Sequence, residues 1–289
     1  MLFTLCLLTN LSLGICFKLF PRYRVDTFSA IVLNYWVSLI LGSVMIGHIP
    51  LLRHLPASYP WTTFAMINGV LFIIGFTIIG ISVKKAGMAI TTTMQKMSLL
   101  LPTTYALLFF HETAGVIKLF GILGCLAAIV LITFKEKTDT AERSSPALIL
   151  LPLGALLMSG LIETILYHVQ AEHLTVHGEL AFTAYGFGTA ALLGAVILLY
   201  RLFSGQYRLT KRDILAGIIL GVPNFFSIYL ILILLKSGYS GSDFYPIMNT
   251  LILALSVLIG LFVFREKLNR VNVIGLIIAG VAILLVSQG

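Results

Sequence analysis

The sequence predicts an all-α integral membrane protein of ten transmembrane helices, arranged as two inverted five-helix repeats. Three observations lead there. Of its 289 residues, 59% are hydrophobic and 10% charged, with a mean hydropathy of +1.04, whereas soluble domains carry about 25% charged residues. A water-soluble fold of this length could not hide so much apolar surface, because a large share of any folded surface faces solvent. The apolar residues also fall into ten runs, each near the roughly 20 helical residues that cross a hydrocarbon core of about 30 Å. Finally, the two halves of the chain resemble each other.

In order, the runs are Leu2–Phe20, Thr27–Gly47, Trp61–Val83, Met88–Phe110, Gly115–Phe134, Pro146–Val169, Glu179–Phe203, Ile214–Leu235, Phe244–Phe264 and Val271–Val286. The first lacks a basic start and a small-residue cleavage motif, so it reads as a span and not as a removable signal. The polar stretch Lys135–Ser145 is the one plausible linker. It divides a first repeat, residues 1–137, from a second, residues 146–289, through a linker at 138–145. No length remains for a separate soluble domain.

A shift of 154 residues aligns Gly87 with Gly241, Met94 with Met248, Leu99 with Leu253, Phe110 with Phe264, Glu112 with Glu266 and Gly121 with Gly275. Matches between apolar residues are cheap. A glutamate followed nine positions later by glycine, in both halves, carries more weight and indicates duplication. Five helices reverse the side of the membrane, so the second repeat inserts upside down relative to the first. Inverted repeats recur in secondary transporters, with the substrate site near the midplane where the repeats meet.

The net charge of +8 follows the same topology. Fifteen basic residues occupy the odd connections: Lys18, Arg22, Arg24; Lys84, Lys85; Lys135, Lys137, Arg143; Arg201, Arg208, Lys211, Arg212; and Arg265, Lys267, Arg270. The even connections carry Arg53, Lys118 and Lys236. Such placement excludes nucleic acid as a partner and puts both termini on one side, outside the cytoplasm. Cys6, Cys16 and Cys125 all lie in apolar runs, without the spacing of a disulfide framework or a zinc site.

The segment from Leu99 to Glu112, LLLPTTYALLFFHE, followed by Gly121-Ile-Leu-Gly, resembles the end of an EamA repeat; Leu253 to Ser256, then Phe264-Arg-Glu266 and Gly275, form its second copy. Over essentially its whole length the chain is similar to the EamA-type drug/metabolite transporters. The resemblance implies a secondary carrier, usually an exporter of metabolites or amino-acid-like compounds, whose spans 1, 3, 4, 6, 8 and 9 line a central cavity. It also implies cytoplasmic termini, against the charge count. Where the first repeat has Pro102, the second has Ser256.

A charge near the bilayer centre costs roughly 2.5–3.5 kcal/mol on insertion scales, so an ionisable residue there needs a reason. Lys96 in the fourth span and Glu163 in the sixth are the two candidates. Lys96 would attract an anionic group of a substrate, and Glu163 would receive a cationic group or a coupling proton. The alternative is a mutual ion pair that only joins the helices. The amides Asn68, Gln95, Asn224 and Asn249 form a second layer, with Asn249 at the repeat-equivalent position of Gln95. Each serves equally as substrate contact or as interhelical glue. Pro223 frees a backbone carbonyl that Asn224 could satisfy. Tyr167, Tyr229 and Tyr245 are read as aromatic walls or interfacial anchors. His168 is read first as a solvated helix end, with a proton relay as its rival. His111 lies in a connection, and His173 and His177 lack the HExxH pattern of a metal site.

Glu112 and Glu266 are expected to act as helix caps. Gly121-xxx-Cys125 and Ser256-xxx-Gly260 permit close packing, in a homodimer or an intramolecular seam. With no GxxxxGK[ST] loop, a proton or substrate gradient is the expected energy source. The sequence therefore predicts a carrier of a small polar metabolite in the inner membrane, without cofactor or metal. A membrane-embedded enzyme acting on a lipid-linked substrate is the alternative; it would need a convergent nucleophile and base, which the sequence does not supply. A passive channel would need rings of like charge.

Overall fold

The computed structural model describes residues 1–53, 59–134, 147–174, 178–205, 207–265 and 268–288, and every regular element among them is a helix. The linker at 138–145, His177, Glu266 and Lys267 lie outside the described residues, as do Lys135, Lys137 and Arg143. Besides a single helical turn at Pro50–Arg53, the helices are α1 (Leu2–Leu19), α2 (Thr27–Ile46), α3 (Pro60–Ala86), a divided α4 (α4a, Met88–Lys96; α4b, Leu100–Phe109), α5 (Val116–Thr133), α6 (Ala147–Glu172), α7 (Gly178–Phe203), α8 (Lys211–Lys236), α9 (Gly241–Phe262) and α10 (Arg270–Gln288). Among the described residues, nine are long and apolar enough to cross a membrane. The fourth run departs from the expectation of an unbroken span.

A 3-10 turn at Met97–Leu99 separates α4a from α4b, and Pro102 stands three residues beyond it. It has no N–H for the carbonyl of Ser98, which weakens the regular ladder there, although α6, α8 and α9 continue through Pro152, Pro223 and Pro246. In the other repeat Ser256 holds the equivalent position, and α9 runs without interruption from Gly241 to Phe262. The two repeats are thus locally different at this point.

The duplication also reaches the backbone. His111 and Arg265 are 154 positions apart, and both adopt left-handed φ, 52° and 55°. That region costs roughly 1–2 kcal/mol for a residue with a Cβ, so its recurrence at one corner of each repeat is informative.

The described residues form two compact units, Met1–Ile73 with His168–Gly238 and Ile74–Tyr167 with Tyr239–Gly289. Each draws on both halves of the sequence. In the first unit, α2 packs against α7 and α8, and α1 against α8. Tyr35, Phe72 and Phe187 stack at its centre, with ring centroids 5.1–6.2 Å apart. Asp26 caps α2 by accepting from Ser29 N, and Thr210 and Asp213 form a capping box on α8.

In the second unit the dominant pairing is α5 with α10. A Cβ on Gly121 would lie 2.7 Å from Val286 N, and one on Gly275 would lie 2.6 Å from Ile132 N. The two helices are therefore antiparallel, and their equivalent glycines mark the points of closest approach. Cys125 packs in the same seam with Ile122, Ala282 and Val286. The small-residue motif at Gly121 is thus used within the chain.

Candidate functional site

The second unit brings Lys96, Glu163 and Asn249 together. Lys96 ends α4a, Glu163 lies in the middle of α6 and Asn249 on α9. The Lys96 ammonium donates to Asn249 Oδ1 at 3.1 Å, and Asn249 Nδ2 donates to Glu163 Oε1 at 3.0 Å. A side-chain amide accepts from a cation with its oxygen and donates to an anion with its nitrogen. Among the described residues the two charges make no direct ion pair, so Asn249 relays between them.

The break in α4 completes the arrangement. Two residues apart on an α-helix, Lys96 and Ser98 would point to different faces. The 3-10 turn intervenes, and Ser98 Oγ donates to Glu163 Oε2 at 3.2 Å. From α9, one turn before Asn249, Tyr245 donates its hydroxyl to the backbone carbonyl of Glu163 at 2.8 Å. Ser98 and Asn249 are buried, at 0% and 3% exposure, whereas Lys96 and Glu163 are each partly exposed.

An ammonium has three donors and a carboxylate about four acceptor positions. Lys96 spends one donor, and Glu163 spends two acceptor positions, among the described residues. The remaining positions make no hydrogen bond among the described residues.

Four residues beyond Glu163, Tyr167 begins a second network at one end of the unit. It donates its hydroxyl to Glu112, which also accepts from Gly241 N at 2.7 Å and Ser242 N at 2.8 Å. Glu112 therefore caps α9, and not the helix that follows it in sequence. Burial pushes its pKa up, but the hydrogen bonds from Ser242, Tyr167 and Gly241 outweigh that and hold the carboxyl below its ordinary value. Beside it, the buried Lys118 pairs with Asp243 at 2.7 Å. On α9, Gly241, Tyr245 and Asn249 recur every four residues and share one face. Capped end and charged site therefore lie on one rigid rod.

The other expected residues stand apart from this cluster. Gln95 is half-buried and makes no side-chain hydrogen bond among the described residues. Asn224 belongs to the first unit and donates to Asn34 at 2.6 Å, joining α8 to α2 instead of satisfying the carbonyl freed by Pro223. Asn68 also belongs to the first unit; it is 1% exposed, and its Oδ1 has no partner among the described residues. His168 and His173 pack on Phe64, with all three ring centroids 5.0–5.1 Å apart. Tyr229 stacks on Phe225. Ser98 and Asn34 escaped the sequence reading. A hydroxyl gives no signal in an apolar run, although Pro102 marked the turn that aims Ser98.

Comparison with known proteins agrees with this architecture. Residues 147–288 match the model of the EamA-like transporter family. An uncharacterized protein of Haemophilus influenzae is 30% identical over 205 residues, which is 70% of this chain and 67% of that protein. A protein of known crystal structure superposes with a TM-score of 0.74 at 14% identity, covering 99% of this chain and 96% of its own, and shares the fold. The chain is a multi-pass membrane protein and belongs to the EamA-like transporter family, within the drug/metabolite transporter superfamily.

Proposed function

We propose that the chain is a secondary carrier that exports a small polar metabolite, an amino-acid-like zwitterion or an organic anion, across the inner membrane by alternating access. The observation that carries this reading is the pair of opposite charges, Lys96 and Glu163, bridged by the buried amide of Asn249 and not paired directly. A zwitterion satisfies both at once. Without one, Asn249 keeps each charge compensated and prevents their collapse into a closed ion pair. Gln95, beside Lys96 and uncommitted among the described residues, is a further candidate contact.

Glu163 is the candidate for coupling. A proton on its carboxylate cancels the charge that holds the substrate's cationic group, so proton and substrate compete for one position. Residues 1–137 and 146–289 are, in this reading, the two repeats that alternate, and ten crossings leave both termini on the same side. The basic residues of the odd connections put that side outside the cytoplasm.

The test uses proteoliposomes preloaded with an isotope-labelled mixture of amino acids and organic acids. Under an imposed pH gradient, at least one labelled zwitterion or organic anion should leave faster than from protein-free vesicles. If every solute leaves at the protein-free rate with the gradient in either direction, the carrier reading fails.

A further inference from the structure

We propose that one end of the first unit is a binding surface for the headgroups of anionic phospholipids, built from Arg22, Arg24, Arg208, Lys211 and Arg212. These residues come from two connections far apart in sequence, the α1–α2 turn and the segment between α7 and α8. The fold fastens those connections together. Asp26 N donates to Asp213 Oδ1 at 2.8 Å, Arg201 pairs with Asp26 at 3.2 Å, and Arg212 reaches the Tyr23 carbonyl at 3.5 Å.

Both carboxylates at this end are consumed by the fastening. Asp26 accepts from Ser29 N, Ser29 Oγ and Arg201. Asp213 accepts from Tyr207, from Thr210 N and Oγ1, and from Asp26 N. Arg201, which neutralises Asp26, also lies over the rings of Phe28 and Tyr207, at 5.3 and 4.9 Å. The five outer cations are exposed, and none has a carboxylate partner among the described residues. Among the described residues, their charge is therefore not compensated by a carboxylate.

Two further features set the occupant. Arg24 holds a left-handed φ of 54°, fixed by its N–H to Pro21 O and by Val25 N to Phe20 O. A glycine or asparagine would adopt that conformation at lower cost, so placing a guanidinium there needs a reason. Large aromatic side chains also stand exposed at the same end: Tyr23 at 58%, Tyr200 at 66% and Phe203 at 87%. Aromatic residues at helix ends mark the headgroup level of a bilayer. At that depth an array of cations meets lipid phosphate, and guanidinium groups match phosphate oxygens two at a time. A lipid headgroup fits both the depth and the charge.

The test titrates the purified protein in detergent with phosphatidylglycerol or phosphatidylcholine and follows thermal unfolding. Phosphatidylglycerol should raise Tm, and phosphatidylcholine should not. R22Q/R24Q and, separately, R208Q/K211Q should each weaken the apparent affinity about fivefold per cation removed. R265Q/R270Q, at a basic connection of the other unit, should leave the response unchanged. Equal responses to the two lipids, a full response in both double variants, or the same Tm rise with inorganic phosphate alone would each overturn the proposal. If a double variant purifies poorly, lipid retained by the wild-type protein decides the matter: phosphatidylglycerol enriched over the membrane's own composition supports the surface, and proportional retention refutes it.

Discussion

At the scale of single residues, Asn249 has the least replaceable chemistry in the site. A leucine there has a similar volume but neither accepts from Lys96 nor donates to Glu163. Asn249→Leu should reduce transport at least tenfold while costing only about 1–3 kcal/mol of stability, the ordinary penalty for buried polar groups left unpaired. Parallel flux and melting measurements check this, and normal flux would remove Asn249 from the site. Glu112 makes a different prediction. Its carboxyl, like that of Asp26, is held below its ordinary value; for Asp26, burial is outweighed by Arg201 and Ser29. A group depressed in the folded state contributes stability above its unfolded pKa, about 4, and loses it as pH falls through the folded value. Melting temperature should therefore drop as pH falls below about 4, and Glu112→Gln should flatten that acid limb while lowering Tm at neutral pH. An unchanged limb would show that the cap on α9 contributes little. Lys96, Glu163 and Asn249 were legible in the sequence because a charge or amide in an apolar run needs a partner. The true role of Glu112 was hidden, because the N–H groups it caps lie about 130 residues further along the chain.

Among the elements, α4 carries the largest consequence. Its 3-10 turn lies just before Pro102 and contains Ser98, which donates to Glu163 beside the Lys96 relay. Pro102→Ala should restore a continuous helix and hold or raise Tm, since a proline inside a helix costs about 3 kcal/mol. Ser98 would then rotate away from Glu163, and transport should fall. A Pro102→Ala protein that melts higher yet transports normally would separate the break from the site. The sequence carried the proline and its absence at Ser256, and ten apolar runs were readable from composition alone. That the fourth run would divide next to its lysine required coordinates, because periodicity does not distinguish a 3-10 turn within an apolar stretch.

For the whole molecule, duplication was visible at the 154-residue shift, and the backbone agrees at His111 and Arg265. What linear order concealed is the partition of the helices: each compact unit recruits from both halves, because α5 finds its main partner in α10 and α2 in α7 and α8. The equivalent glycines of the α5–α10 seam should respond alike. Gly121→Leu and Gly275→Leu each overpack a backbone contact and should destabilise by a similar amount, about 1–3 kcal/mol, read as paired losses in Tm; tolerance at one position alone would contradict the equivalence. The central claim is that Lys96 and Glu163 are charges kept for a ligand and not for each other. Its most direct test is solute flux through proteoliposomes containing wild type, Lys96→Gln, Glu163→Gln or the double variant, with melting curves on the same samples. Each single variant should remain folded and lose transport, and the double variant should also lack flux and melt no higher than the singles; a double variant that regains stability lost in the singles would show that the two charges are kept for each other. Normal flux through both single variants would contradict the account.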